Sequence, residues 1–253
     1  MTVRRRDCCR LFFSVGIGAV WLTGLLGSAC GGDAETSTPP SPTPSVSTAD
    51  QATVCGEPST GVDRVAFTDA DGAEVDGIVV GSGALGVVLA HQRNSDLCSW
   101  LPFARSLDPE RFRALAFTFA GDLEANVVAA ADYLRARGAG TVVLIGASMG
   151  GTASLVAATV VRPSVEAVVA VSAPREFSGL DAERAVRRLA VPLLFVAGRE
   201  DTAFAADARV LFRAARSSEK QLLLAEDFAH GTDLLDGPEG PRVRREILGF
   251  LTR

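Results

Sequence analysis

The 253-residue sequence contains two histidines, His91 and His230, and five cysteines. Two imidazoles far apart in the chain cannot build a histidine-rich metal site, and no Cys/His cluster has zinc spacing. A P-loop and a dinucleotide fingerprint are also missing, so no cofactor is implied. Basic residues are in deficit: 25 Lys and Arg face 30 Asp and Glu, for a net charge of −5. Without the first 29 residues, which carry four arginines and one aspartate, the charge is −8. Such a balance argues against nucleic acid as a partner. Neither an internal repeat nor a composition that calls for a second folded domain is present.

Against this background, Gly146-Ala147-Ser148-Met149-Gly150-Gly151 follows the apolar run Val142-Val143-Leu144-Ile145. The order is that of a buried strand, a sharp turn and a helix start, with Ser148 at the apex. Glycines on either side remove Cβ atoms that would collide where strand and helix approach, leaving the hydroxyl exposed. A plain glycine turn would read the same by itself. A serine nucleophile needs a base, most often an imidazole. His230 follows the strand-like run Gln221-Leu222-Leu223-Leu224-Ala225, and His91 follows Gly86-Val87-Val88-Leu89-Ala90. A third run, Pro192 to Ala197, empties into Gly198-Arg199-Glu200-Asp201.

The order Ser148, Asp201, His230, each at the end of a successive strand, resembles the α/β-hydrolase family over residues 60–253. Parallel strands bring their carboxyl ends together, so distant residues converge there. The resemblance implies Ser148 as nucleophile, His230 as base and Asp201, rather than the adjacent Glu200, as orienting acid. Where the family usually reads His-Gly, this chain reads His91-Gln92-Arg93. By position, the oxyanion donors are the backbone N–H groups of Arg93 and Met149, and His91 supports the loop. Gln92 is a departure from the pattern.

Arg4, Arg5, Arg6 and Arg10 precede a charge-free stretch, Leu11 to Ala29, that ends Leu26-Gly27-Ser28-Ala29-Cys30. Residues 1–29 read as an export signal, and the small residues before Cys30 resemble a bacterial lipoprotein box, with Cys30 lipidated after cleavage. A retained transmembrane helix is the alternative that the length allows. Arg5-Arg6-Asp7 loosely resembles a twin-arginine signal, which leaves the export route open. Cys8 and Cys9 would depart with the signal, so Cys55 and Cys98 remain as a disulfide pair in an oxidising compartment, or as two buried thiols.

Residues 30–54 include Thr36-Ser37-Thr38-Pro39-Pro40-Ser41-Pro42-Thr43-Pro44, a composition expected to form an extended, disordered tether. Residues 55–253 are long enough for one α/β core. Val62 to Thr68 and Val75 to Val80 form an opening antiparallel hairpin; strands at 86–90, 114–119, 142–145, 167–171, 192–197 and 221–225 then alternate with helical runs at 100–107, 123–137 and 181–189. The expected fold is a mostly parallel, doubly wound α/β sheet without a cap domain, in the manner of small dienelactone-hydrolase-like serine esterases.

The function this implies is hydrolysis of a carboxylic ester or related acyl bond of a small-molecule acyl substrate. The alternatives are acyl transfer, thioester or peptide hydrolysis on the same triad, or a non-catalytic binding lipoprotein. The expected location is the cell envelope outside the cytoplasm, at a membrane through a lipid on Cys30. Trp100, Phe103, Phe119, Phe177 and Phe204 are candidate pocket aromatics that core packing explains as well. Arg93 and Arg175 are candidates for recognising an acidic substrate.

Overall fold

The computed structural model describes residues 53–252. The export signal at 1–29, the lipidation site at Cys30 and most of the tether lie outside the described residues. The tether's boundary needs correction. Thr53–Val54 pairs antiparallel with Glu57–Pro58, and Val54 is buried in the core. The segment is held because Arg64 donates to the Thr53 carbonyl at 2.8 Å and Cys55 is bonded to Cys98.

Eight strands form the central sheet: β1 (Val62–Thr68), β2 (Glu74–Val80), β3 (Leu85–Ala90), β4 (Phe112–Phe117), β5 (Thr141–Ala147), β6 (Ala167–Val171), β7 (Leu193–Gly198) and β8 (Lys220–Ala225). Their order across the sheet is β8-β7-β6-β5-β3-β4-β2-β1. Only β2 runs against its neighbours, pairing antiparallel with β1 and β4. The opening hairpin is therefore joined to a parallel sheet. Strand β4 is shifted from the expected 114–119 to Phe112–Phe117. The Thr118 N–H still donates to the Asp76 carbonyl of β2, and the Phe119 N–H after it turns to the His91 ring.

Both faces of the parallel strands are apolar because both are covered. Alternate residues face opposite sides. Val88, Leu144, Val168 and Phe195 pack under α2 (Leu123–Ala136), α3 (Met149–Ala157), α4 (Ala182–Val186) and α5 (Thr202–Ala214). Leu89, Ile145, Val169 and Val196 pack on the other side with Trp100, with α1 (Leu101–Ser106) and with a helix near the C-terminus. That helix, Gly240–Leu251, buries Val243, Ile247, Phe250 and Leu251, a spacing of one helical face. The shorter helix before it, Asp233–Asp236, is α6, and Gly240–Leu251 is α7.

Between β6 and β7 lie a two-by-two-residue hairpin, Glu176–Phe177 with Leu180–Asp181, and α4. No cap domain is inserted there. Among the described residues, no helix is long and apolar enough to cross a membrane.

Candidate active site

The parallel strands end nearly level. Ala90 faces Gly146, Gly146 faces Ala170, Val171 faces Val196, and Gly198 faces Ala225. The residues just past these pairs share one edge of the sheet, and they include His91, Ser148, Ser172, Asp201 and His230.

Ser148 has φ +48° and ψ −116° between β5 and α3. A serine held there costs on the order of 1–3 kcal/mol, so the surroundings must enforce it. Its N–H donates to the Val171 carbonyl at 2.7 Å. A Cβ on Gly146 would lie 2.1 Å from the Gly150 carbonyl oxygen, and one on Gly150 would lie 2.3 Å from that of Ala90. No other residue fits either position, which is the physical content of the glycines around the serine. Ser148 is 8% exposed, and its hydroxyl has no hydrogen-bond partner among the described residues.

Asp201 stands immediately before α5 and His230 in the loop after β8. The His230 Nδ1 is 2.7 Å from Asp201 Oδ2. In the neutral imidazole the carboxylate makes Nδ1 the donor, and Nε2 is then the acceptor. The Phe204 ring, from α5, lies against the imidazole with centroids 4.1 Å apart. Glu200 points elsewhere. It is exposed, and its N–H donates to the Asp227 carbonyl at 3.1 Å. Arg199 N–H donates likewise to the Ala225 carbonyl, so the acid loop and the histidine loop are stitched together by backbone.

His91 is 4% exposed. Its Nε2 accepts from the Phe119 N–H at 3.1 Å, and its Nδ1 donates to the Gln92 carbonyl at 2.7 Å. Burial lowers its pKa from the ordinary histidine value, opposed by the Gln92 carbonyl and the Asp96 charge. A neutral ring fits both bonds. Because the peptide between Gln92 and Arg93 is planar and trans, fixing its carbonyl aims the Arg93 N–H the opposite way. Neither the Arg93 nor the Met149 N–H donates to any backbone or side-chain group among the described residues, so both remain available. Gln92 turns its side chain back to the histidine loop, where Oε1 accepts from the Thr232 N–H at 2.7 Å and from Thr232 Oγ1 at 3.2 Å.

Sequence patterns did not single out Ser172 or Thr232. Ser172 is fully buried with φ +49°, and its Oγ accepts from the Gly231 N–H at 3.1 Å. Its position just past β6 was the available signal. Of the aromatic candidates, Trp100 and Phe103 belong to the core, 0% and 2% exposed and packed edge to face. Phe119 packs on His91, and Phe177 lies in the small hairpin. Only Phe204 touches the His–Asp pair. Arg175 is taken by Asp207 at 2.9 Å and Glu183 at 3.7 Å, and Arg93 is exposed. A groove of about 760 Å³ is lined by residues such as Phe67, Asp71, Val128 and Tyr133. It contains none of the residues above.

Three solved structures share this arrangement of strands and helices. An esterase of Pyrococcus furiosus superposes with a TM-score of 0.63 at 17% identity, covering 76% of this chain and 90% of that one. A dienelactone hydrolase from Anabaena variabilis gives 0.62 at 20% identity over 75% and 97%. An enol-lactonase from Burkholderia xenovorans gives 0.61 at 16% identity over 74% and 100%. The chain has the α/β-hydrolase fold. The model of the dienelactone hydrolase family matches residues 110–230. That span carries Ser148, Asp201 and His230 but not the loop at 91–93. No curated protein sequence matches the chain.

Proposed function

We propose that this α/β-hydrolase is a serine esterase that cleaves a carboxylic ester through an acyl-enzyme. The observation that carries the reading is the His230–Asp201 hydrogen bond of 2.7 Å on the same sheet edge as a serine held at φ +48°. Ser148 attacks the ester carbonyl while His230 Nε2 takes its proton. His230 then gives that proton to the leaving alcohol, and water repeats the sequence to release the acid. Asp201 holds the imidazole in the tautomer that this requires and stabilises the imidazolium. Backbone N–H groups of Arg93 and Met149 receive the oxyanion, and no cofactor enters. The dienelactone hydrolase family match and the esterase and lactonase neighbours support an ester or lactone substrate.

The enzyme belongs, in this reading, to the cell envelope outside the cytoplasm, held at a membrane by a lipid on Cys30. The deciding test is to incubate the full-length chain, extracted in detergent, with a fluorophosphonate probe and with short-chain p-nitrophenyl esters. Labelling of Ser148 and saturable ester turnover are expected. No labelling together with no turnover of these esters overturns the assignment.

A further inference from the structure

We propose that the Gln92 carboxamide is a positioning residue that couples the oxyanion loop to the loop bearing His230, an inference that rests on the esterase reading above. Three observations on two sides of the site converge on this side chain. First, its Oε1 accepts two hydrogen bonds from Thr232, two residues beyond His230. The Thr232 N–H can only donate, so oxygen rather than nitrogen of the carboxamide faces it. Second, Gly231 leaves room for this approach: a Cβ there would sit 1.9 Å from Gln92 Oε1 and 3.6 Å from the Ala147 Cβ, next to the nucleophile. Third, the backbone of the same residue is held independently, because the His91 ring donates to its carbonyl at 2.7 Å.

Gln92 is thereby fixed at both ends, and the peptide bearing the Arg93 N–H moves only if the Thr232 contact or the His91 contact breaks. The preceding N–H in this loop, that of Gly231 directly after His230, is held by Ser172 Oγ at 3.1 Å. Two successive N–H groups after the histidine are thus held from the ends of two different strands, β6 and β3. The base and the oxyanion donor must both sit within a fraction of an ångström of their places in the transition state. A glycine in the position of Gln92 could not make this connection. Replacing the family's glycine with glutamine therefore exchanges backbone freedom for a link between the two halves of the catalytic apparatus.

The test compares Gln92→Met, Thr232→Val, Thr232→Ser and the Gln92→Met/Thr232→Val double variant with the full-length wild type, using p-nitrophenyl acetate. Methionine keeps the length and bulk of glutamine but cannot accept. Gln92→Met is expected to lower kcat about tenfold with KM within about twofold and an almost unchanged melting temperature, the pattern of an interaction felt in the transition state. Thr232→Val retains the N–H bond and is expected to lower kcat by about threefold, whereas Thr232→Ser restores it. The double variant should be no worse than Gln92→Met, since both substitutions break one link. A Gln92→Met enzyme with wild-type kcat, one that changes only KM, or losses that multiply in the double variant each overturn the proposal. Should Gln92→Met fail to fold, wild-type kcat in Thr232→Val has the same force. A wild type that neither turns over ester nor reacts with fluorophosphonate overturns the esterase reading itself, before any variant is compared.

Discussion

The Nδ1 of His230 lies 2.7 Å from Oδ2 of Asp201, across a sequence separation of 29 residues. Two loops at neighbouring strand ends bring them together, and the Phe204 ring covers the imidazole from one side. The bond fixes which imidazole nitrogen is available to a nucleophile. Ser148, at the apex of the turn after β5, is the hydroxyl that this assignment concerns.

Replacing Ser148 or His230 with alanine should abolish ester turnover, with a loss of at least about a thousandfold in kcat. Fluorophosphonate labelling should vanish in Ser148→Ala. Neither side chain supports the core, so the thermal transition should move little. Retained turnover in either variant would remove the residue from the mechanism.

For the acid, the two adjacent carboxylates separate cleanly. Asp201 bonds the imidazole, whereas Glu200 is exposed and contributes a backbone N–H to the Asp227 carbonyl. Asp201→Asn should reduce kcat by a factor on the order of a thousand or more, and Glu200→Gln by less than about twofold. Steady-state kinetics on both variants decide this, and the reverse ranking would assign the role to Glu200.

The Cys55–Cys98 bridge joins the start of the folded domain to the segment after residues 91–93. Breaking it in a Cys55→Ser/Cys98→Ser pair should lower stability by roughly 2–4 kcal/mol, since the bridge restrains a long loop of unfolded chain. Denaturant unfolding measures the loss. Mass analysis of the denatured, unreduced protein should find neither thiol alkylated; finding both alkylated would refute the pairing.

His91 gives a pH signature. Its native pKa is depressed by burial, while in the unfolded chain it titrates near the ordinary value of about 6.5. As the pH falls through about 6.5, the unfolded chain takes up a proton that native His91 refuses, so the stability contributed by the neutral ring is present above that pH and is lost below it. Melting temperatures of wild type and His91→Gln, measured from neutral to mildly acidic pH, should converge on the acid side. A constant difference between them would mean that His91 does not titrate in this way.

For the proposed lipid anchor, the decisive atom is the Cys30 thiol. A transmembrane helix is indifferent to one cysteine at its outer end, but acylation and the cleavage coupled to it require the sulfur. Cys30→Ala should lose metabolic lipid labelling and accumulate as precursor or as a mis-cleaved soluble form. A variant processed and partitioned like wild type would favour the transmembrane alternative.

Much of the fold was legible because its signals are local. Apolar runs bounded by glycine and polar residues marked β3, β5, β6, β7 and β8 to within about two residues, the usual uncertainty of an element's ends. The small differences have tertiary causes: β4 ends early because Phe119 N–H bonds to His91, and Val54 joins the core because its neighbour Cys55 is tethered. Helices α5 and α7 were not among the expected elements, although the apolar residues of α7 at 243, 247, 250 and 251 follow a helical spacing among its three arginines.

By itself, the sequence determined the order of the strands, the turn at Ser148 and a short choice of candidate residues for the site. These depend on backbone sterics and on apolar periodicity, which act between near neighbours in the chain. It could not determine that Gln92 reaches Thr232, a separation of 140 residues, or that Ser172 reaches Gly231, a separation of 59. Such contacts exist only once the parallel strands align in register, and a polar side chain has no intrinsic preference for one distant partner over another. Tertiary structure decides among the partners, because a buried donor or acceptor left unpaired is costly and the sheet edge offers each of these groups a partner within reach.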